Sequence, residues 1–482
     1  MKKNISILLA VLMAVSVLLA SCGGSGEDPA VTTAGSETET TETVTEETID
    51  LPADLKFDGK TFTFGVVDNP NARNSIVMED LNGEVLNDAQ YTVVSMASDR
   101  LDINIEQLVM TTGYPAFQPA SKLILAGDDV AQIMNVYCVD APNMMTNGYL
   151  QDYADMPYID LEKSWWDQGV NESLTLGGFR YAAIGDLSIT THDLSYALLF
   201  SQGLVAANQL DKPYDLVNNG SWIMDKMNEM MLAVLSDANG NGERDAEDIF
   251  GYLAAGKMVT PNFLIGAGER TLELNADGVP EFAMSDSRFV SVFEKIFAIT
   301  YDNEARFATA EDSDVPSECR NMFIGGHTLF CDCSFFWIAA LRDMDTDFGI
   351  IPYPKYNEEQ DDYCSRVSYF MPPVIPSTCV DTELLGAVLE LCNYYAMLEV
   401  TPAYYEITLK GKYARDEESI AMLDLIFSHR VIDLGDTLFC ADIRDGFIAS
   451  MYKNNDRSLA STLESKVPAI EAKIAKMMEA IK

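Results

Sequence analysis

Basic side chains are scarce in this chain of 482 residues: 32 lysines and arginines stand against 75 acidic residues, for a formal charge of −43. Phosphate binding needs a basic face, so the balance argues against nucleic acid as a partner. It argues equally against docking on anionic lipid through a polybasic surface. Histidine is scarcer still. His192, His327 and His429 are the only three and lie far apart, which suits core or surface places. The chain has no Gly-x-Ser-x-Gly elbow, no His-Glu-x-x-His helix and no phosphate-cradling Gly-rich loop. Glycoside hydrolysis needs two carboxylates at a set separation, but so many acidic residues make any one pair uninformative. No internal repeat of solenoid period is present.

What is there is enough for a globular protein. Nearly half the residues are hydrophobic and a tenth aromatic, which excludes wholesale disorder. The length predicts two or three domains. The N-terminus reads differently. Lys2 and Lys3 precede an apolar run, 7–20, interrupted only by Ser16 and too short for a comfortable membrane span. Its end, Leu19-Ala20-Ser21-Cys22-Gly23, resembles the lipobox of bacterial lipoproteins and makes Cys22 the expected lipidated first residue, with 1–22 a signal peptide. Residues 23–50 hold eight acidic residues and no basic ones in a Thr/Ser/Glu-rich run. Nothing in it can build a core, so a disordered tether is expected.

Eight further cysteines (138, 319, 331, 333, 364, 379, 392 and 440) could pair in an exported protein, and spacing alone leaves the connectivity open. His327, Cys331 and Cys333 lack the second ligand cluster that zinc needs, and the alternation of the two cysteines fits a buried strand face better.

Strand-like runs are expected at 61–67, 103–110, 130–136, 328–333 and 348–351. Helical spacing marks 86–101, 119–126, 285–300, 335–344, 382–398 and 459–481, with Pro468 a candidate break in the last. Short strands alternating with helices predict a mostly parallel α/β sheet, economically arranged as two lobes.

The sharpest local motif is 237–248. Asp237, Asn239 and Asn241 place oxygens at positions 1, 3 and 5, and Gly242 permits the sharp turn at 6. Glu243 offers a carbonyl at 7, and Asp245 and Asp248 stand at 9 and 12. This is the twelve-residue calcium-loop spacing with Asp in the last position, a variant similar to dockerin loops. A structural Ca²⁺ is the expected occupant; a polar Asn/Gly turn is the plainer reading.

Several segments in order carry a wider resemblance. They are 150–158 with 164–167 (Ser-Trp-Trp-Asp), the 177–181 turn (Gly-Gly-Phe-Arg-Tyr), and the tryptophan-led helix start at 215–225. Two more follow: 320–330, a short helix, glycine and strand, and 347–355 (Asp-Phe-Gly-Ile-Ile-Pro-Tyr-Pro-Lys). From about 51 to 435 the chain resembles family 1 of the extracellular solute-binding proteins of bacterial ABC importers, the carbohydrate-type group that includes maltose-binding protein. It departs from that pattern at Ser201-Gln202, where the family usually has Asn-Lys.

The resemblance implies a two-lobed α/β fold, the periplasmic-binding-protein type II fold, with an interlobe ligand cleft. It implies a first lobe of 51–190 plus 355–412 and a second of 195–352 plus 415–482. It further implies hinge closure on a sugar or oligosaccharide, delivery to an ABC permease, attachment outside the bacterial membrane, and no catalysis. A lipid-anchored carbohydrate-active hydrolase and a cell-surface adhesion module stand as alternatives. Tyr137 and Asp140 follow a strand at its carboxyl end, where open α/β sheets place ligands; matched to the family they become a stacking platform and a hydroxyl acceptor. Phe335 and Trp337 fall where the family places a stacking aromatic, His192 lies near the first crossing between lobes, and Tyr369 near the return strand. Trp165, Trp166 and Trp222 are expected in the core.

Overall fold

In a computed structural model, residues 48–307, 321–338, 341, 347–410 and 417–482 are described. Cys22, Cys319, the signal segment and nearly all of the tether lie outside them.

Strand β1 (Lys60–Asp68) buries Phe62, Phe64, Val66 and Val67, so both of its faces are covered. That pattern belongs to a parallel sheet with packing on either side. β1 pairs in parallel with β2 (Ile103–Thr112) and β3 (Ile133–Asn135). The helix joining β1 to β2, α1 (Val85–Leu101), turns Val93, Val94, Ala97 and Leu101 inward.

The chain leaves this sheet through 182–196. There Ala182 bridges to Val374 and Ser195 to Val367. Beyond the crossing come β4 (Tyr196–Ser201), β5 (Phe250–Leu253), the helix α2 (Gly256–Gly266), β6 (Thr328–Ser334) and β7 (Phe348–Ile351). The second sheet runs β7-β4-β6-β5. Here the expected parallel arrangement gives way to a mixed one. β5 and β6 are parallel, but β4 runs against both of its neighbours because the chain enters this sheet from the crossing. Cys331 and Cys333 are buried on β6, as their alternation predicted. Cys138, Cys364, Cys379, Cys392 and Cys440 are free thiols.

The return crossing is 365–374. Ser365–Arg366 pairs with Arg430–Val431, and β8 (Pro373–Val374) then joins the edge of the first sheet beside β3. Residues 352–364 therefore stay with the second lobe, where Lys355 bridges Ile223 and the Tyr353 hydroxyl meets that of Tyr252 at 3.1 Å. One helix outruns its sequence signal, and another runs through its candidate break. α3 (Thr382–Lys410) packs on α1 and passes Pro402. α4 (Leu459–Ala480) passes Pro468 unbroken, burying Ile470, Ile474, Met477 and Met478 along one face. α4 touches both lobes, through 141–146 and 280–282. Among the described residues, no helix is long and apolar enough to cross a membrane.

The crossing is held by charge. Arg366, on the returning strand, donates from Nε and a terminal nitrogen to the two oxygens of Asp436 at 2.6 and 2.8 Å. Arg444 reaches the same carboxylate at 3.2 Å. All three side chains are almost wholly buried. The Ser368 hydroxyl accepts from both guanidinium groups, at 2.9 and 3.1 Å. Arg366 also donates to Asn262 of α2 at 3.0 Å. One carboxylate thus ties the crossing strand to the C-terminal segment, and Arg366 ties that strand to a second-lobe helix.

Candidate functional site at the lobe junction

Three tyrosines meet where these elements converge. Tyr114 sits in the turn after β2, Tyr137 after β3, and Tyr369 on the return crossing. The Tyr114 ring lies 5.2 Å from Tyr137 and 6.3 Å from Tyr369, edge-on to both, a geometry that favours aromatic pairs. Tyr114 is half exposed, Tyr369 partly so, and Tyr137 buried. Tyr369 takes a φ of +56°. That left-handed conformation is disfavoured for a bulky residue and concentrates at functional sites.

The other side of Tyr369 is polar. The Arg444 guanidinium stacks 4.2 Å from the ring centre and donates to the phenol oxygen. It also forks onto Asp445, Nε to Oδ1 at 2.9 Å and a terminal nitrogen to Oδ2 at 3.0 Å. Both residues begin a short π-helical turn, Arg444–Ile448, a distortion common at functional sites. Lys257, in the first turn of α2, carries its ammonium 6.0 Å from the same ring centre. Burial works against ionisation of Asp445, but the hydrogen bond and charge of Arg444, with Lys257, bring its carboxyl below the usual value. Burial pushes the phenols of Tyr114 and Tyr137 up to about 12, and that of Tyr369 higher. All three remain hydroxyl donors at neutral pH. Apolar ring faces, phenol donors and a fixed carboxylate are what a neutral polyhydroxylated ligand needs.

The six residues singled out from sequence fall into separate groups. Tyr137 and Tyr369 join this corner through Tyr114. Asp140 lies beside it but is 3% exposed and accepts a hydrogen bond from the Ala116 backbone at 2.8 Å, so it shapes the Tyr114 turn. His192 packs half-buried between Tyr404 and Phe427, with ring centres 5.2 and 5.1 Å away. Burial, with Arg430 nearby, holds it well below its ordinary pKa and therefore neutral. Phe335 packs on the same Phe427 at 4.6 Å. Trp337 is half-buried against Phe336. His192 and Phe335 thus form an aromatic core group of their own. Trp165, Trp166 and Trp222 are buried as expected.

Tyr114, Lys257, Arg444 and Asp445 were missed. The rule that picked Tyr137, a residue just past the carboxyl end of a first-lobe strand, applies equally to Tyr114. No spacing marks Arg444-Asp445.

The 237–248 loop closes on itself. Asp237 accepts from the Gly240 and Gly242 backbones at 2.7 and 2.9 Å, and Asn239 and Asn241 accept from Asn241 and Glu243. Asp248, fully buried, accepts from Ala238 and Asp245. The asparagine amides donate to Asp245 at 3.2 and 2.8 Å. Among the described residues no three His, Cys, Asp or Glu side chains form a metal-holding group. A hard cation here would also need the two amide oxygens and the Glu243 carbonyl. Their donor type suits calcium, and each accepting oxygen keeps a second lone pair.

No protein-family model matches this chain, and no curated protein sequence does. Solved structures do. UspC from M. tuberculosis is 14% identical with a TM-score of 0.56, covering 87% of this chain and 100% of its own. An ABC substrate-binding protein from Listeria monocytogenes in complex with cycloalternan is 10% identical with a TM-score of 0.52, covering 88% and 98%. The cyclic alpha-maltosyl-1,6-maltose binding protein from Arthrobacter globiformis is 13% identical with a TM-score of 0.54, covering 88% and 99%. The chain shares the two-lobed fold of these structures. The tyrosine corner stands where its two lobes meet.

The buried state of Asp140 has a consequence for pH. Desolvation pushes its carboxyl up to about 6 against the opposing backbone hydrogen bonds, from a usual value near 4. Between those values the native state holds more protons than the unfolded one, so stability falls as pH rises through that window and levels off above it. Asp140→Asn keeps an acceptor for Ala116 and removes the titration. Its stability relative to wild type should rise by on the order of 2 kcal/mol between pH 4 and 6.5, read by urea unfolding. A difference that does not change with pH contradicts this assignment.

Proposed function

We propose that this protein captures a sugar or oligosaccharide at the junction of its lobes and delivers it, chemically unchanged, to an ABC importer. The observation that carries the reading is the tyrosine corner. Tyr114 and Tyr137 come from the first lobe, Lys257 from the second, and Tyr369 from the strand between them, so a ligand there touches both lobes. Ligand contacts made only in the closed form shift a two-state hinge toward closure. The sugar ligands of the fold's neighbours support the ligand class. Calorimetric titration of the body from Leu51 with maltose, maltotetraose, cycloalternan and D-tagatose should give saturable binding to at least one, with no new reducing ends. Release of reducing ends would turn the reading to a hydrolase; silence with all four would remove the saccharide.

We further infer that Cys22 carries the lipid that holds the protein outside the bacterial membrane, on the support of the lipobox-like Leu-Ala-Ser-Cys. Wild type should partition into the detergent phase, and Cys22→Ser should not. Equal partitioning of the two would contradict the anchor.

The 237–248 loop is read as a structural calcium site on its oxygen spacing. Calcium should raise the thermal midpoint, by about 2.7 kcal/mol of stability at a hundredfold excess over Kd. Asp237→Ala should abolish the increment. The same midpoint in chelator and in excess calcium would leave a polar turn.

A further inference from the structure

The inference that follows rests on the saccharide-binding reading and adds the residue that selects the ligand. The carboxylates around the corner are built for different work. Asp140 and Asp436 are nearly wholly buried and turn their oxygens to groups inside the protein. Asp445 does not. Its side chain is 39% exposed, although the arginine that grips it is 1% exposed.

The grip leaves capacity over. An ionised carboxylate has about four acceptor positions. The Arg444 fork fills one on each oxygen, at 2.9 and 3.0 Å. The Tyr369 hydroxyl approaches Oδ2 only at 3.4 Å, too long for a strong bond between oxygens and easily replaced. Oδ1 has no second protein donor among the described residues. A fork binds one edge of a carboxylate, so the remaining lone pairs face away from Arg444.

Arg444 is itself immobilised. Its guanidinium donates to Asp436 and Ser368, and it stacks on the Tyr369 ring. The carboxylate is therefore held ready, and little side-chain freedom remains to be lost when a ligand arrives. Its distance from the aromatic wall is fixed too, since one guanidinium touches both Tyr369 and Asp445.

We propose that Asp445 is the specificity-determining acceptor of this site: it takes a hydroxyl of the sugar ring whose apolar face lies on Tyr369, with Arg444 as its positioning residue. The ligand class is narrowed accordingly. It is an uncharged saccharide with a free hydroxyl at the edge of the stacked ring. A sugar whose carboxylate or phosphate replaces that hydroxyl is repelled, because Asp445 is ionised and can only accept.

The test titrates wild type, Asp445→Asn, Asp445→Ala, Arg444→Lys and the double variant R444K/D445A with maltose, maltotetraose, cycloalternan and D-tagatose. Circular dichroism and thermal midpoints confirm that each variant is folded. For every saccharide the wild type binds, both Asp445 variants should bind about 10- to 150-fold more weakly, the range for a hydrogen bond to a charged group. Arg444→Lys should also weaken binding, and adding Asp445→Ala to it should cost less than it does in wild type. That coupling is the mark of a residue acting through another. Wild type that binds none of the four removes the saccharide reading, and this assignment with it. Wild-type affinity in Asp445→Ala, with saccharide binding intact, overturns the assignment alone. Fully additive losses would overturn the positioning role of Arg444.

Discussion

The Asp436 carboxylate is the constraint on which the rest of this structure depends. Two guanidinium groups are buried beside it, on the returning strand and on the C-terminal segment. A buried charge without a partner is costly, and removing one member of such a group typically destabilises by about 3–5 kcal/mol. Asp436 balances one of the two positive charges, and Asp445 balances the other from the exposed side. The strand that passes between the lobes is thereby clamped beside α2 and the π-helical turn. Tyr369 follows three residues after Arg366 on that strand. Its left-handed backbone, unfavourable alone, is over-determined by the clamp on either side.

That arrangement is what makes the corner a candidate binding site. A hinge needs crossing strands that bend without unravelling, and a ligand can bias the hinge only if it touches both bodies. The tyrosine corner sits on the crossing itself. Its aromatic faces come mostly from the first lobe and its cations from the second lobe and the C-terminal segment. The neutral polar ligand proposed for it is compatible with a chain of charge −43, because Asp436 and Asp445 near the corner are paired with buried arginines.

Much of the framework is legible in the sequence. β1, β6 and β7 declare themselves by short apolar runs and β2 by its alternation, and the alternation of Cys331 and Cys333 marks a buried strand face. The antiparallel course of β4 was not legible, because direction in a sheet depends on where the chain enters it. Proline was a poor guide to helix ends: Pro402 and Pro468 both lie inside long helices whose buried faces continue on either side. Of the proposed corner, Tyr137 and Tyr369 were picked out in the sequence by their places past a strand end and near the return strand, whereas His192 and Phe335 share the composition of a site and the environment of a core. Sequence cannot separate those two, since an aromatic ring serves either. Asp140 stands in the right place and turns inward. Arg444 and Asp445 acquire meaning only from residues far away in the chain, Arg366 and Tyr369, so no local pattern could reveal them.

The most direct measurement is a crystal structure of the body from Leu51 grown with a saccharide it binds, compared with the unliganded protein. The account predicts a sugar ring against Tyr369 and Tyr114, a hydroxyl of that ring within hydrogen-bond distance of Asp445, and the two sheets rotated toward each other about 182–196 and 365–374. A saccharide bound elsewhere on the molecule, with the Tyr369 corner empty and the lobes unmoved, would contradict it.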